Sequence, residues 1–128
     1  MFSEYLKNHS LDRLLLHELP RFFPPASDRA AWSSLSEIQK EQIRALAERY
    51  RGEPYATLTA TQYMAYARTG DRSVFEVPYF QRRRKLCASV LSACLNGDPA
   101  DIDCVVDGLW MICEESTWVI SADRKSVV

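Results

Sequence analysis

Residues 73–113 read SVFEVPYFQRRRKLCASVLSACLNGDPADIDCVVDGLWMIC, and the fold turns on them. Phe80, Cys87, Val90, Leu91 and Cys94 recur at the three-, four- and seven-residue spacings that put side chains on one face of a helix, predicting one long helix within the segment 73–96. Gly97 is the expected stop, because glycine enters the left-handed region at a helix C-terminus without a Cβ clash. Asp98 can then cap, and Pro99 can start, a last helix whose stripe is Ile102, Val105, Val106, Leu109, Ile112 and Cys113. Two long helices joined by about three or four residues have to lie antiparallel, side by side. Pro78 leaves the first start open: it is either the first helical position or a kink in a helix begun at Ser73.

The same reading extends upstream. TLTATQYMAYAR predicts a helix from about 57 to 68, ended at Gly70, with T-G-D-R at 69–72 as a stop followed by a new cap. Before it, Ser36 precedes EIQKEQIRALAERYR, whose Leu35, Ile38, Ile43, Leu46 and Tyr50 predict a helix over 36–51 with Gly52 as its left-handed stop. Asp28 can cap a short turn through Trp32, and the two aromatics of PRFFPPAS are expected to pin a loop onto a neighbouring surface. Ser3 to Leu19 reads as two short helices, with Ser10 capping LDRLLLHEL. No alternating run makes a strand, and there is no scorable repeat or low-complexity segment. The expected class is therefore all-α, built of antiparallel helical hairpins, as one helical domain over 1–122.

Composition narrows the function classes. A chain of 128 residues suffices for one domain with a real core. With 16 Lys and Arg against 17 Asp and Glu, the net charge of −1 gives no electrostatic footprint for nucleic acid or an anionic membrane. The dense basic run Arg82, Arg83, Arg84, Lys85 reads either as a solvated or salt-bridged helix face or as an anion-binding patch. No apolar run approaches the roughly 18 residues of a membrane span, and MFSEYLKNHS has no signal-peptide pattern, so a cytoplasmic location is expected. The four cysteines, Cys87, Cys94, Cys104 and Cys113, lie inside helical patterns without metal-type spacing, which predicts buried reduced thiols.

Metal, nucleophile and phosphate chemistry find no motif. His9 and His17 lack any helical ligand spacing, no G-x-S-x-G is present, and four glycines are too few for a phosphate-cradling loop. No metal, no cofactor and no catalytic set is expected. The chemistry-bearing constellation lies where the last helix ends, at CEESTWVISAD, 113–123. Acids are poorly placed in a last helical turn, which already carries partial negative charge. Either Glu114 and Glu115 sit in a site, or they find basic partners, or the helix ends before them. Antiparallel packing would bring Glu114, Glu115 and Trp118 beside Tyr79, Arg82 and Arg83. That rim is either a structural Glu–Arg bridge or a carbohydrate-type cleft, where aromatics stack on sugar rings and Arg or Glu bond hydroxyls or carboxylates.

The succession FPPASDRAAWSSL at 23–35, YRGEPYATLTATQYMAYARTGDRSVFEVPYFQRRRKL at 50–86 and DGLWMICEESTWVISA at 107–122 resembles the N-terminal part of the heparinase II/III-like polysaccharide lyases. DGLWMICEESTW at 107–118 is the most specific part, and the resemblance runs from about residue 10 to Ala122. It implies a partial α/α toroid, cut from an enzyme that carries a longer toroid and a β-sandwich region. The family's reaction is β-elimination from uronate polysaccharides: the uronate carboxylate is neutralised, a Tyr or His takes the neighbouring proton, and an acid protonates the leaving oxygen. Its Asn, Tyr and His come from later helices and the β region, so only Glu114, Glu115 and Trp118 carry over, as cleft residues. Relatives continue with something like P-A-H-N, whereas Ala122 is followed here by DRKSVV, a divergent tail at 123–128 that reads as a truncated or frameshifted ending.

Three functions follow as expectations. The first is a non-catalytic lyase fragment with weak binding of an acidic polysaccharide or oligosaccharide. The second is a residual uronate lyase in which Tyr79 is the base and Arg82 and Arg83 neutralise the carboxylate. The third is a helical adaptor that binds another protein. A toroid cut after two or three helical pairs also leaves an apolar face without its neighbour, which predicts a homo-oligomer.

Overall fold

The computed structural model describes residues 22–122, and these are all-α, with no strand among them. Five helices follow in order: α1 (Arg29–Ser33), α2 (Glu37–Tyr50), α3 (Ala60–Thr69), α4 (Ser73–Asn96) and α5 (Pro99–Cys113). The expected helices within 3–19, with His9, His17 and the cap at Ser10, lie outside the described residues, as does the tail at 123–128. None of the described helices is long and apolar enough to cross a membrane.

Local chemistry sets the ends. Asp28 accepts from the Ala31 amide and starts α1. Ser36 and Gln39 form a reciprocal capping box on α2, and Thr59 and Gln62 form a second on α3. The second box corrects the expected start near 57: Thr59 accepts from the Gln62 amide, so residues 54–59 stay irregular. Gly70 and Gly97 stop α3 and α4 at φ of 76° and 72°. Asp71 holds the start of α4 by accepting from the amide and hydroxyl of Ser73, at 2.9 and 2.6 Å. Those bonds favour its ionised form and lower its carboxyl pKa. Pro78 lies inside α4, which begins at Ser73, so proline removes only the bond the Val74 carbonyl would have received.

α4 is the hub on which α1, α2, α3 and α5 all pack. α5 runs antiparallel to it, since Ser92 donates to Asp101 near the turn while Arg82 meets Glu115 at the far end. α1 packs against the C-terminal end of α4. Arg29 donates to the carbonyls of Cys94 and Leu95 at 2.6 and 2.7 Å, placing a cation on the negative end of α4.

The interior is built differently from the expected apolar stripes. Phe75, Tyr79, Ala88 and Leu95 of α4 are buried, together with Trp32, but the same face also buries Arg82, Lys85, Ser89 and Ser92. Arg82 donates to the Ala56 carbonyl and Lys85 to the Glu53 carbonyl, so the irregular segment between α2 and α3 hangs from two cations of α4. Unpaired carbonyls of such a segment need donors, and that need puts charge where an apolar stripe was expected. The predicted stripes are present but turned outward: Phe80, Val90, Ile102, Val106 and Leu109 are all exposed. Cys87 and Cys113 are exposed with them, correcting the expectation of buried thiols, while Cys94 and Cys104 are half-buried. On α2 the half-buried positions are Lys40, Ile43, Ala47 and Tyr50, and Ile38 faces solvent. Phe22 and Phe23 are 85% and 77% exposed, so among the described residues they do not pin a loop onto a neighbouring surface as expected.

Candidate functional site

The rim at the end of α5 begins with a helix that stops before its acids. α5 ends at Cys113 and Glu114 is its C-cap, so neither acid lies within the last helical turn. Glu115 turns inward. Its Oε1 accepts from Arg82 Nη1 and Arg83 Nη1, each at 3.2 Å, and its Oε2 accepts from Arg83 Nη2 at 2.7 Å. The Glu115 side chain is 3% exposed, Arg82 6% and Arg83 26%, so this is a buried cluster of one acid and two cations. Arg82 also donates to the Met111 carbonyl, which is left free near the end of α5.

Tyr79 and Trp118 close the cluster. Tyr79 donates to the Trp118 carbonyl at 2.7 Å, and the Arg83 guanidinium stacks on the Tyr79 ring at 3.4 Å. Trp118 Nε1 donates to the Ile112 carbonyl at 3.0 Å, which folds residues 114–118 back over the end of α5 and leaves the indole 65% exposed. Glu114 is exposed. All six residues expected at the rim thus share one end of the α4–α5 hairpin, divided into a buried clamp of Tyr79, Arg82, Arg83 and Glu115 and two exposed members, Glu114 and Trp118.

Beside the clamp lies a cavity of about 340 Å³ between the start of α3 and the chain after α5. Glu114, Glu115 and Arg82 reach its wall, and Thr59, Tyr63, Ser116 and Thr117 supply hydroxyls, over a floor of Leu58, Met64, Phe75 and Met111. Tyr63 packs edge-on to Phe75 with ring centroids 5.1 Å apart, and its hydroxyl is buried with no hydrogen-bond partner among the described residues. A buried phenol normally finds a partner, so the Tyr63 hydroxyl is an unmet hydrogen-bonding group enclosed beside the cavity. The sequence reading missed the α3 side of this cavity. The signal was Tyr63 at the fourth position of a capped helix beside the hydroxyl-rich run Thr57, Thr59 and Thr61, visible only once α3 is folded against α4.

The groups expected to carry chemistry are already engaged within the clamp. Tyr79 is engaged as a donor to a carbonyl and lies under a guanidinium, and both arginines meet Glu115, so neither is placed as the base or the carboxylate-neutralising group of an elimination. No group of three or more His, Cys, Asp or Glu side chains suited to a metal ion occurs among the described residues. No protein-family model and no curated protein matches the chain.

Proposed function

We propose that the chain is a partial α/α toroid of the heparinase II/III-like kind, non-catalytic by itself, that holds a short saccharide weakly in the cavity between α3 and residues 114–117. The make-up of the wall carries this reading: it mixes apolar side chains with the hydroxyl-bearing Thr59, Tyr63, Ser116 and Thr117 and with Glu114. Sugar rings present apolar faces and hydroxyls together, and such a wall matches both. The cavity's cation, Arg82, is buried and directs its donors to Glu115 and to the Ala56 and Met111 carbonyls, so recognition runs through sugar hydroxyls rather than through a uronate carboxylate.

The test is saturation-transfer NMR with uronate-containing and neutral oligosaccharides, on the native chain and on Tyr63→Phe. Transfer to sugar protons that weakens in Tyr63→Phe supports the reading, and no transfer from any saccharide overturns it. On uronate polysaccharides the native chain should form no unsaturated product, and ultraviolet absorbance from such a product would restore the enzyme reading. The parent family is tested separately, by whether the coding sequence downstream of Val128 continues into further toroid helices and a β region in any frame.

A further inference from the structure

Among the described residues, α2, α3 and the 51–59 segment cover one broad face of the α4–α5 hairpin, and the other face carries exposed apolar side chains. Helical position assigns its members. On α4, Phe80, Cys87, Val90 and Cys94 lie about 100° around the helix from the α5 contact, on the side away from Lys85 and Ser92. On α5, Ile102, Val106, Leu109 and Cys113 lie on the side away from Cys104 and Met111, which meet the 51–59 segment and the cavity. Because the helices are antiparallel, both stripes point the same way and form one surface. Its exposed members include Phe80 at 38%, Val90 at 37%, Ile102 at 51%, Val106 at 56% and Leu109 at 51%, with Val77 at 60% at its edge.

We propose that a second copy of this chain covers this surface, hairpin against hairpin, in a twofold dimer whose centre is a four-helix layer. Area carries the choice of occupant. These six side chains expose on the order of 500 Å² of mostly apolar surface per copy, and a standard interface buries about 800 Å² per partner, of which about 65% is apolar in homodimers. The supply on one copy therefore matches what one copy needs, without another partner. Self-complementarity points the same way. The central residues Cys87, Val90, Cys94, Ile102, Val106 and Leu109 carry no charge, so a twofold axis through them opposes no like charges there, while Glu76 and Arg83 on the same side of α4 are paired with Arg72 and Glu115; two antiparallel helices also present similar ridges in both directions. The inference is independent of the saccharide reading, since the cavity lies at the far end of the hairpin from Ile102.

Size-exclusion chromatography with light scattering at micromolar concentration should return twice the 14.7 kDa chain mass. A monomer overturns the proposal, and so does an assembly larger than a dimer. Val106→Glu and Leu109→Glu place a carboxylate at positions that face solvent in the single chain, so circular dichroism should hold while the dimer dissociation constant rises on the order of a hundredfold. Folded variants that dimerise as tightly as the native chain overturn it. Alkylation of Cys87 and Cys113 gives a readout without substitution. Both thiols should be labelled more slowly as concentration rises through the dimerisation range. Rates independent of concentration overturn the proposal, whether fast, as for an uncovered face, or slow, as for a face covered by another segment of the same chain.

Discussion

Glu115 accepts from two arginines with its side chain 3% exposed, whereas Glu114, one residue earlier, faces solvent. Their substitutions should therefore differ in kind. Glu115→Gln leaves Arg82 buried without its counter-charge, and breaking a buried pair from one side costs about 3–5 kcal/mol. Glu114→Gln should stay within about 0.5 kcal/mol of the native chain. Urea unfolding of the two variants measures the difference, and equal midpoints would mean the clamp contributes nothing to the fold. A second residue-scale test is Gly108, the buried glycine of α5. In an open helix Gly→Ala gains up to about 1 kcal/mol. Here a Cβ would overlap the Tyr55 hydroxyl and come within 2.6 Å of its Cζ, and that ring is held by a bond to the Cys104 carbonyl and by Lys85 over its face. Gly108→Ala should therefore lose about 1–3 kcal/mol by overpacking, and Gly108→Ala with Tyr55→Leu should recover part of the loss.

At the scale of elements, α1 is five residues long and depends on what it grips. Arg29 joins it to the last carbonyls of α4, so Arg29→Gln removes charge-assisted bonds at a helix end and should cost about 1 kcal/mol. Trp32, buried in α1 and donating to the Pro25 carbonyl, reports the undocking as a red-shifted fluorescence before global unfolding. A spectrum unchanged from the native chain would mean Arg29 is ornamental. Elements of this kind were largely legible in the sequence. Ser36, Gly52, Gly70, Gly97 and Asp98 act locally, and each marks a boundary at or beside the position expected of it. The direction in which helices face was not legible. The stripes on α4 and α5 have the right period, but period says only that residues share a face. Which face is inside depended on Arg82 and Lys85 meeting the carbonyls of Ala56 and Glu53, partners remote in sequence on a segment with no periodicity. The clamp at the end of α5 was half legible for a related reason: antiparallel pairing brings Tyr79, Arg82 and Arg83 to Glu115 and Trp118, while Tyr63 and Thr59 arrive from a third helix.

At the scale of the molecule, few large apolar side chains are buried among the described residues, and much of what holds the layers together is polar: the Glu115 clamp, the α4 cations that hold the 51–59 segment, and Tyr55 against α5. Stability should accordingly respond to pH through Tyr55. Burial, followed by its bond to Cys104, pushes the Tyr55 phenol well above its ordinary value of 10.0. A pKa raised on folding means that the neutral phenol is the form the fold prefers. Its contribution is therefore complete below pH 10.0, the unfolded value, and is lost as pH rises from there through the folded value, because the unfolded chain releases the proton first. Tyr55→Phe keeps the ring beneath Lys85 but loses the bond to the Cys104 carbonyl, at about 1 kcal/mol near neutral pH. The native chain should then lose its advantage over Tyr55→Phe progressively above pH 10.0, so that the two stability curves, measured by urea unfolding across the alkaline range, converge. Curves that stay parallel there would show that Tyr55 titrates alike in the folded and unfolded chains, and that the tie from the 51–59 segment to α5 is solvated rather than buried.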